Sequence, residues 1–127
     1  MRLFLVRHAE AAPGEPDDLR RLTPAGRDTA RTLGERLAEH DLDAVVTSPL
    51  LRARETGELI ARASQLEAEP DERLAPGATA DDLAAAIEGR GETVVAVGHQ
   101  PDCSELVLAL TGREVSFAPG ELQELEL

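Results

Sequence analysis

The chain of 127 residues contains no lysine, so arginine supplies all of its permanently charged basic side chains. This absence excludes two broad classes of enzyme. A Walker A phosphate loop requires a lysine, and Schiff-base catalysis requires an amine side chain. Arginine offers a different chemistry, because its forked guanidinium group binds two phosphate oxygens at once and stays charged at any working pH.

Cysteine and aromatic residues are also scarce. The single cysteine, Cys103, cannot form a disulfide within the chain, and we expect it to be a small buried residue of a helix. A cysteine phosphatase would need an arginine six residues further on, whereas position 109 is alanine. Only two residues are aromatic, both phenylalanine, so leucine, valine, isoleucine and alanine must build the core.

Long apolar runs are absent as well. None approaches the ~20 residues needed to cross a bilayer, and the start MRLFLVRH is too short and wrongly flanked for a signal peptide. We therefore expect a cytoplasmic protein with a single domain over residues 1–127. The formal net charge of −12 argues against nucleic acid or membrane as a partner. A local group of arginines can still bind an anionic substrate at short range.

Three short segments are almost wholly apolar and do not alternate with polar residues. This pattern is typical of strands in a parallel sheet that is covered on both faces. The predicted strands are residues 3–6, 44–47 and 93–97. The end of the chain differs, because Leu125 and Leu127 alternate with glutamates. That alternation predicts an edge strand, which we expect to run antiparallel.

Helical patterns lie between and after these strands. N-caps are predicted at Thr23, Ser48 and Thr79, and a fourth helix at Pro101. In this last helix we expect Leu110 on the inner face and Gly112 at the end. The expected loops are residues 11–18, 69–78 and 113–120. This order predicts an α/β fold, a three-layer sandwich with a mostly parallel sheet, helices on both faces and an antiparallel C-terminal edge strand.

Polar side chains follow each predicted parallel strand. Arg7 and His8 come directly after the first strand, and His99 follows the third. Ser48 and the helix that carries Arg52 follow the second, with Ser48 interpreted as the N-cap rather than as a ligand. Ligands of open α/β sheets bind beyond the carboxyl ends of the parallel strands. We therefore expect these two arginines and two histidines to meet at one site.

Phosphoryl transfer is the chemistry that suits this set of side chains. Guanidinium groups match the phosphate oxygens, and one imidazole can attack phosphorus to divide a hydrolysis into two easier steps. A second imidazole can donate to the equatorial oxygens, whose negative charge must be stabilised in the transition state. The starts of the two nearby helices add backbone N–H groups suited to an anion.

Four motifs now make a family resemblance visible. They are LVRHAE at 5–10, RLTPAG at 21–26, TSPLLRARET at 47–56 and VVAVGHQP at 94–101. Together they resemble the histidine phosphatase superfamily, also called phosphoglycerate-mutase-like, with Ala9 in place of the usual glycine of its Arg-His-Gly motif. The small size and the RRLTPAG segment are most similar to the SixA-type phosphohistidine phosphatases. The resemblance covers essentially the whole chain.

The resemblance implies a role for each matching residue. His8 would be the nucleophile that becomes phosphorylated, Arg7 and Arg52 would hold the phosphate, and His99 would complete the pocket. Arg20 is a fifth candidate, because compact members carry an arginine two residues before the Leu-Thr of this motif. The adjacent Arg21 remains an alternative to Arg20. No cofactor and no metal ion is implied.

One departure from the family pattern bears on the substrate. Larger members carry a glutamate proton donor in a Leu-x-Glu segment, but Leu74 and Ala75 are followed here by Pro76. Glu72 and the aspartates at 81 and 82 lie nearby without matching that position. An imidazole leaving group is protonated without a strong enzyme acid, whereas an alkoxide needs more help. The sequence therefore predicts a metal-independent phosphatase acting through a phosphohistidine intermediate, on protein phosphohistidine or a small activated phosphate.

Three alternatives remain open at this stage. The chain could be a catalytically weak module that binds a phosphate or a phosphoprotein, or a phosphomonoesterase of the same family that acts on small metabolites. A metallohydrolase would have to use His8, Glu10, His99 and Asp102, which lack the short helical spacing of such sites. The third histidine, His40, follows a predicted helix and is expected to lie on the surface.

Overall fold

The computed structural model describes residues 1–127 as one five-stranded sheet with four α-helices. The strands are β1 (Arg2–Arg7), β2 (Ala44–Thr47), β3 (Ala68–Pro70), β4 (Thr93–Gly98) and β5 (Leu122–Glu126). The helices are α1 (Pro24–Leu37), α2 (Leu51–Ala63), α3 (Ala80–Ile87) and α4 (Asp102–Thr111). None of the helices has the length and apolar character needed to cross a membrane.

The strands follow the order β3-β2-β4-β1-β5 across the sheet. Every neighbouring pair is parallel except β1 and β5, which pair antiparallel from Arg2–Glu126 to Val6–Leu122. The predicted fold class, including the antiparallel edge strand at the end of the chain, is therefore confirmed. The order places β4 between β1 and β2, so the carboxyl ends of three parallel strands lie side by side.

Alternate residues of the central strands fill two separate cores. Leu3 and Leu5 of β1 belong to a cluster with the buried residues of α3 and α4. Phe4 and Val6, which point to the opposite face, belong to a cluster with residues of α1 and α2. Because successive side chains of a strand face opposite sides, burial of both sets requires a helical layer on each side of the sheet.

Two glycines set how closely α1 and α2 approach the site. A Cβ at Gly26 in α1 would lie 2.2 Å from the Glu10 carbonyl oxygen, and a Cβ at Gly57 in α2 would lie 2.2 Å from a methyl group of Thr47. Any larger residue would push the helix away from the segment beyond β1 or from the end of β2. These close contacts hold the start of α1 and the middle of α2 against the segments that end at the polar edge of the sheet.

Several details of the sequence-based expectation were wrong. The short strand β3 lies at the start of a segment expected to be a loop. Helix α2 begins at Leu51 with Leu50 as its N-cap, so Ser48 is not the cap. Leu110 is 39% exposed rather than internal. His40 is half-buried, with its ring centroid 4.9 Å from that of Phe4, because the first strand passes beneath the end of α1.

Candidate active site

The polar residues that follow β1, β2 and β4 are held at one edge of the sheet by backbone hydrogen bonds. The N–H of His8 donates to the Gly98 carbonyl at 3.0 Å, and the N–H of Ser48 donates to the Val97 carbonyl at 2.9 Å. These bonds extend the parallel ladder just past the strand ends. The predicted meeting of His8 and His99 is found, with 5.3 Å between the ring centroids.

His8 is held in a single tautomer by its own chain. Its Nδ1 lies 2.8 Å from the carbonyl oxygen of Ala9, and the residue is 9% exposed. A carbonyl can only accept, so Nδ1 carries the hydrogen and donates it, which leaves the lone pair on Nε2. Burial, together with the charges of Arg52, Arg7 and Arg20, lowers the pKa of His8 to about 4. The neutral imidazole with a free Nε2 is therefore the form present near neutral pH.

Thr56 of α2 anchors the backbone next to His8. The Thr56 hydroxyl accepts the N–H of Ala9 at 3.0 Å and donates to the Arg52 carbonyl at 2.8 Å, and the residue is fully buried. Ala9 replaces the glycine of the family motif without strain, because only Asp41 and Gln65 among the non-glycine residues have positive φ. The departure at position 9 therefore leaves the orientation of His8 intact.

His99 has one ring nitrogen paired and one unpaired. Its Nε2 lies 2.7 Å from the Ser48 hydroxyl, and its Nδ1 is buried without a partner. Burial is the main reason that its pKa falls to about 4, and the neighbouring His8 and Arg52 lower it further. Ser48 was expected to be a helix cap, and its contact with His99 was missed. The signal available in the sequence was only its position directly after β2.

Two arginines with mostly buried side chains face this histidine pair. Arg7 donates through Nη1 to the Phe117 carbonyl at 2.9 Å, while its Nε is buried and has no partner. Arg52, which is 8% exposed, donates through Nη1 to the Asp17 carbonyl at 2.9 Å and through Nη2 to the Asp17 carboxylate at 3.2 Å. The charges of both arginines lower the pKa of His8, so both lie close to it.

Arg20 joins the cluster, and Arg21 does not. The guanidinium of Arg20 donates to the Ala12 carbonyl at 2.9 Å and to the Asp17 carboxylate at 3.1 Å, and its charge also lowers the pKa of His8. Arg21 is exposed. Asp17 thus bridges Arg20 and Arg52, and its pKa is lowered mainly by the hydrogen bond from Arg20. The sequence had suggested only that residues 11–18 form a loop.

Glu55 of α2 ties the RLTPAG motif to the same region. Its carboxylate accepts the N–H of Leu22 at 2.8 Å and pairs with Arg27 at 2.9 Å. The Thr23 side chain in turn accepts the N–H of Gly26, the predicted N-cap interaction of α1. This motif is therefore structural in large part, because it anchors the loop that carries Arg20 against α2.

No carboxyl group takes the position of the missing glutamate. Pro76 and Glu72 are exposed, and Asp82 is engaged with Thr79 in the capping box of α3. Asp102 is a buried carboxylate at the start of α4, but it accepts the N–H of Gly77 at 2.8 Å and so anchors the loop before α3. The four residues considered as metal ligands do not converge, since no three histidine, cysteine, aspartate or glutamate side chains form such a group.

Cys103 lies beneath the site without belonging to its chemistry. It is fully buried in α4, as expected, and its Sγ is 3.8 Å from the Val6 carbonyl oxygen. Burial raises the pKa of its thiol to about 12, so the nucleophilic thiolate does not form near neutral pH.

The electrostatics of the site suit an anion. Three guanidinium groups surround two neutral imidazoles, and both Arg7 and His99 have a buried nitrogen without a partner. Buried polar groups are normally hydrogen-bonded, and two unpaired nitrogens beside the same cluster of positive charge are suited to a ligand. An oxyanion would supply the missing acceptors, because its oxygens accept hydrogen bonds from guanidinium and imidazole N–H groups.

Comparison with known proteins identifies the family. The model of the histidine phosphatase superfamily (branch 1) matches residues 3–76. The chain belongs to this superfamily. An uncharacterized protein from Picosynechococcus sp. is 36% identical over 122 residues, covering 87% of this chain and 73% of its own length. A phosphohistidine phosphatase SixA homolog from Haemophilus influenzae is 30% identical over 143 residues, covering 98% and 87%.

The solved structures lead to the same family. The structure of the protein histidine phosphatase SixA complexed with tungstate matches with a TM-score of 0.88 and 28% identity, covering 100% of this chain and 88% of that one. The predicted membership of the histidine phosphatase superfamily, the similarity to SixA and the phosphatase class are confirmed by these matches.

Proposed function

We propose that this histidine phosphatase hydrolyses its substrate through a phosphorylated His8. The observation that carries the proposal is the hydrogen bond from Nδ1 to the Ala9 carbonyl, which leaves Nε2 with a lone pair in a ring that is neutral at physiological pH. In the first step Nε2 attacks phosphorus and the leaving group departs with the bonding electron pair. In the second step water attacks the phosphohistidine, releases phosphate and regenerates neutral His8.

The remaining polar residues bind and stabilise the transferred phosphoryl group in this proposal. Arg7 and Arg52 supply charge and donors close to His8, with Arg20 adding a third positive charge. His99 donates one hydrogen bond to an equatorial oxygen. These interactions strengthen as charge develops in the transition state, because the side chains are already in place and largely shielded from water.

The preferred substrate is protein phosphohistidine or a small activated phosphate. The absence of a carboxylic acid at position 76 is the supporting observation, since a phosphorylated imidazole leaves without a strong enzyme acid. The relatives named for phosphohistidine and the tungstate complex of SixA, in which an oxyanion is bound, agree with this preference. No metal ion or cofactor takes part in the proposed steps, and residues 1–127 act as one catalytic domain.

Trapping of the intermediate tests this proposal. After acid-free quenching of a reaction with an aryl phosphate, the protein should carry an alkali-stable, acid-labile phosphate that mass spectrometry places on His8. His8→Ala should lose both the label and turnover. His40→Ala is the matched control, because His40 is remote from the cluster, and it should keep both.

Other outcomes of these experiments would contradict the proposed mechanism or favour a different function. A label on Ser48 or His99, or a label that persists in His8→Ala, would refute the assignment of the nucleophile. Loss of activity with EDTA and its recovery with a divalent ion would favour a metallohydrolase. A comparison of phosphohistidine protein, aryl phosphate and metabolite phosphates would then separate the preferred substrate class from a metabolite phosphomonoesterase. Binding of phosphate without turnover of any substrate would indicate a binding module.

A further inference from the structure

Ser48 is a buried hydroxyl whose hydrogen bonds constrain the proton on His99. The residue is completely buried at the end of β2, where Oγ lies 2.7 Å from Nε2 of His99. The same Oγ accepts the backbone N–H of Leu50 at 3.2 Å. A serine hydroxyl has one hydrogen to donate and two lone pairs to accept with, so its possible arrangements can be counted.

Two arrangements are compatible with these contacts. If Nε2 carried the hydrogen, Oγ would accept from both His99 and Leu50, and the hydroxyl hydrogen would have no acceptor. Nδ1 would then present a lone pair without a partner, so two buried groups would be unsatisfied. If the hydroxyl donates to Nε2, the hydrogen bonds of Ser48 are complete and only the N–H at Nδ1 lacks a partner. The second arrangement leaves fewer buried groups unpaired.

The identity of the remaining unpaired group also favours the second arrangement. A lone pair on Nδ1 would repel the oxygens of an anion, whereas an N–H donates to them. His99 belongs to a site that contains Arg7 and Arg52 and is suited to an anion. Because the pKa of His99 is lowered to about 4, the ring has a single hydrogen near neutral pH, and its position decides whether Nδ1 donates or accepts.

We propose that Ser48 is a positioning residue, which donates its hydroxyl hydrogen to Nε2 of His99 and thereby keeps the ring hydrogen on Nδ1 for the phosphoryl group. The catalytic part of this inference depends on the proposed phosphatase mechanism, whereas the assignment of the tautomer does not. The Ala9 carbonyl holds the tautomer of His8 in a comparable way, through a backbone acceptor rather than a hydroxyl donor.

Nuclear magnetic resonance gives a direct test. Long-range ¹H–¹⁵N correlation spectra at neutral pH distinguish the two tautomers of each ring. The chain has only three histidines, so His8→Ala and His40→Ala assign the signals by elimination. In the wild type His99 should be protonated on Nδ1. In Ser48→Ala the population protonated on Nε2 should rise, and kcat should fall about 10-fold or more, by analogy with the loss of hydrogen bonds that orient metal-bound histidines.

Ser64→Ala is the matched control, because it removes a hydroxyl at the end of α2 that has no hydrogen-bond partner and lies outside the site. It should change neither the tautomer nor kcat. Protonation of wild-type His99 on Nε2 would overturn the proposal without any enzyme assay. An unchanged tautomer or an unchanged kcat in Ser48→Ala would overturn it as well. If no substrate is turned over by the wild type, the proposed function fails while the spectra still decide the tautomer.

Discussion

Two regions at opposite ends of the sheet differ in the side chains that a ligand would contact. Near the amino end of β1, a groove of ≈ 320 Å³ is lined mainly by apolar side chains, among them Met1, Leu83 and Leu127. At the carboxyl ends of β1, β4 and β2, by contrast, His8 and His99 lie close together with arginine side chains beside them. The apolar groove contains no histidine, arginine or cysteine, and its one ionisable side chain is Glu88.

The candidate site is distinguished from the groove by its charged and hydrogen-bonding side chains rather than by volume. The apolar groove lies between α3, the end of α4 and the chain termini. The polar site retains unpaired nitrogens on Arg7 and His99 in a buried setting, which costs stability unless a ligand supplies acceptors. The following predictions test whether the two regions are as distinct in function as they are in composition.

His99→Ala should produce the largest change of the four. It removes a donor to the phosphoryl oxygens but leaves the attacking nitrogen of His8, so kcat should fall by ~10²–10³, the usual scale for losing one such donor. Single-turnover kinetics with an aryl phosphate would measure it, and some label on His8 should still form. A kcat within a few-fold of the wild type would place His99 outside the reaction.

Arg52→Lys should have a smaller but clear effect. The substitution keeps the charge but loses the fork that contacts Asp17 on one side and is proposed to hold phosphate on the other. We expect kcat/KM to fall about 10- to 100-fold, on the scale of one charge-assisted hydrogen bond. Arg21→Lys is the control, because Arg21 is exposed, and it should leave the kinetics unchanged. Wild-type kinetics in Arg52→Lys would contradict its assignment to the site.

On acidification, activity should be lost only at an unusually low pH. Attack requires unprotonated Nε2, and burial lowers the pKa of His8 from 6.5 to about 4. Activity should therefore persist as the pH falls from 7 to 5 and be lost as it passes through about 4. The measurement is kcat/KM for an aryl phosphate, which reports the pKa of the free enzyme, with circular dichroism showing that the chain stays folded. A half-maximum near 6.5 would mean that His8 behaves as a solvent-exposed imidazole.

Leu110→Ser in the apolar groove should have the smallest effect. The groove takes no part in the proposed reaction, and Leu110 is 39% exposed, so part of its apolar contact is lost. We expect kcat to change less than about 2-fold, while the free energy of unfolding falls by about 1–2 kcal/mol. Kinetics and urea denaturation would measure both. A marked loss of activity would show that the two ends of the sheet are coupled.

Much of the fold was predictable because its signals are local. The apolar segments of β1, β2 and β4 and the cap residues Thr23 and Thr79 appear where the sequence placed them. The start of α2 was misplaced, since Ser48 satisfies every sequence criterion for an N-cap. In the structure its hydroxyl meets His99, 51 residues away in the chain, and no local pattern reports such a contact.

The sequence by itself determined the chemical composition of the site. Arg7, His8 and His99 directly follow apolar strands, and parallel strands in an α/β sheet deliver such residues to a common edge. The absence of lysine and of a glutamate at position 76 also limits the chemistry without any coordinates.

Only the tertiary structure decided the protonation and the orientation of these residues. Burial sets the low pKa values of His8 and His99, and burial is a property of the packed chain. The choice between Arg20 and Arg21 likewise depended on the direction in which the loop folds back towards Asp17. Residue type determines which reactions are possible. The packing of remote segments determines which side chains lie close together, how far they are buried and therefore which atoms are protonated.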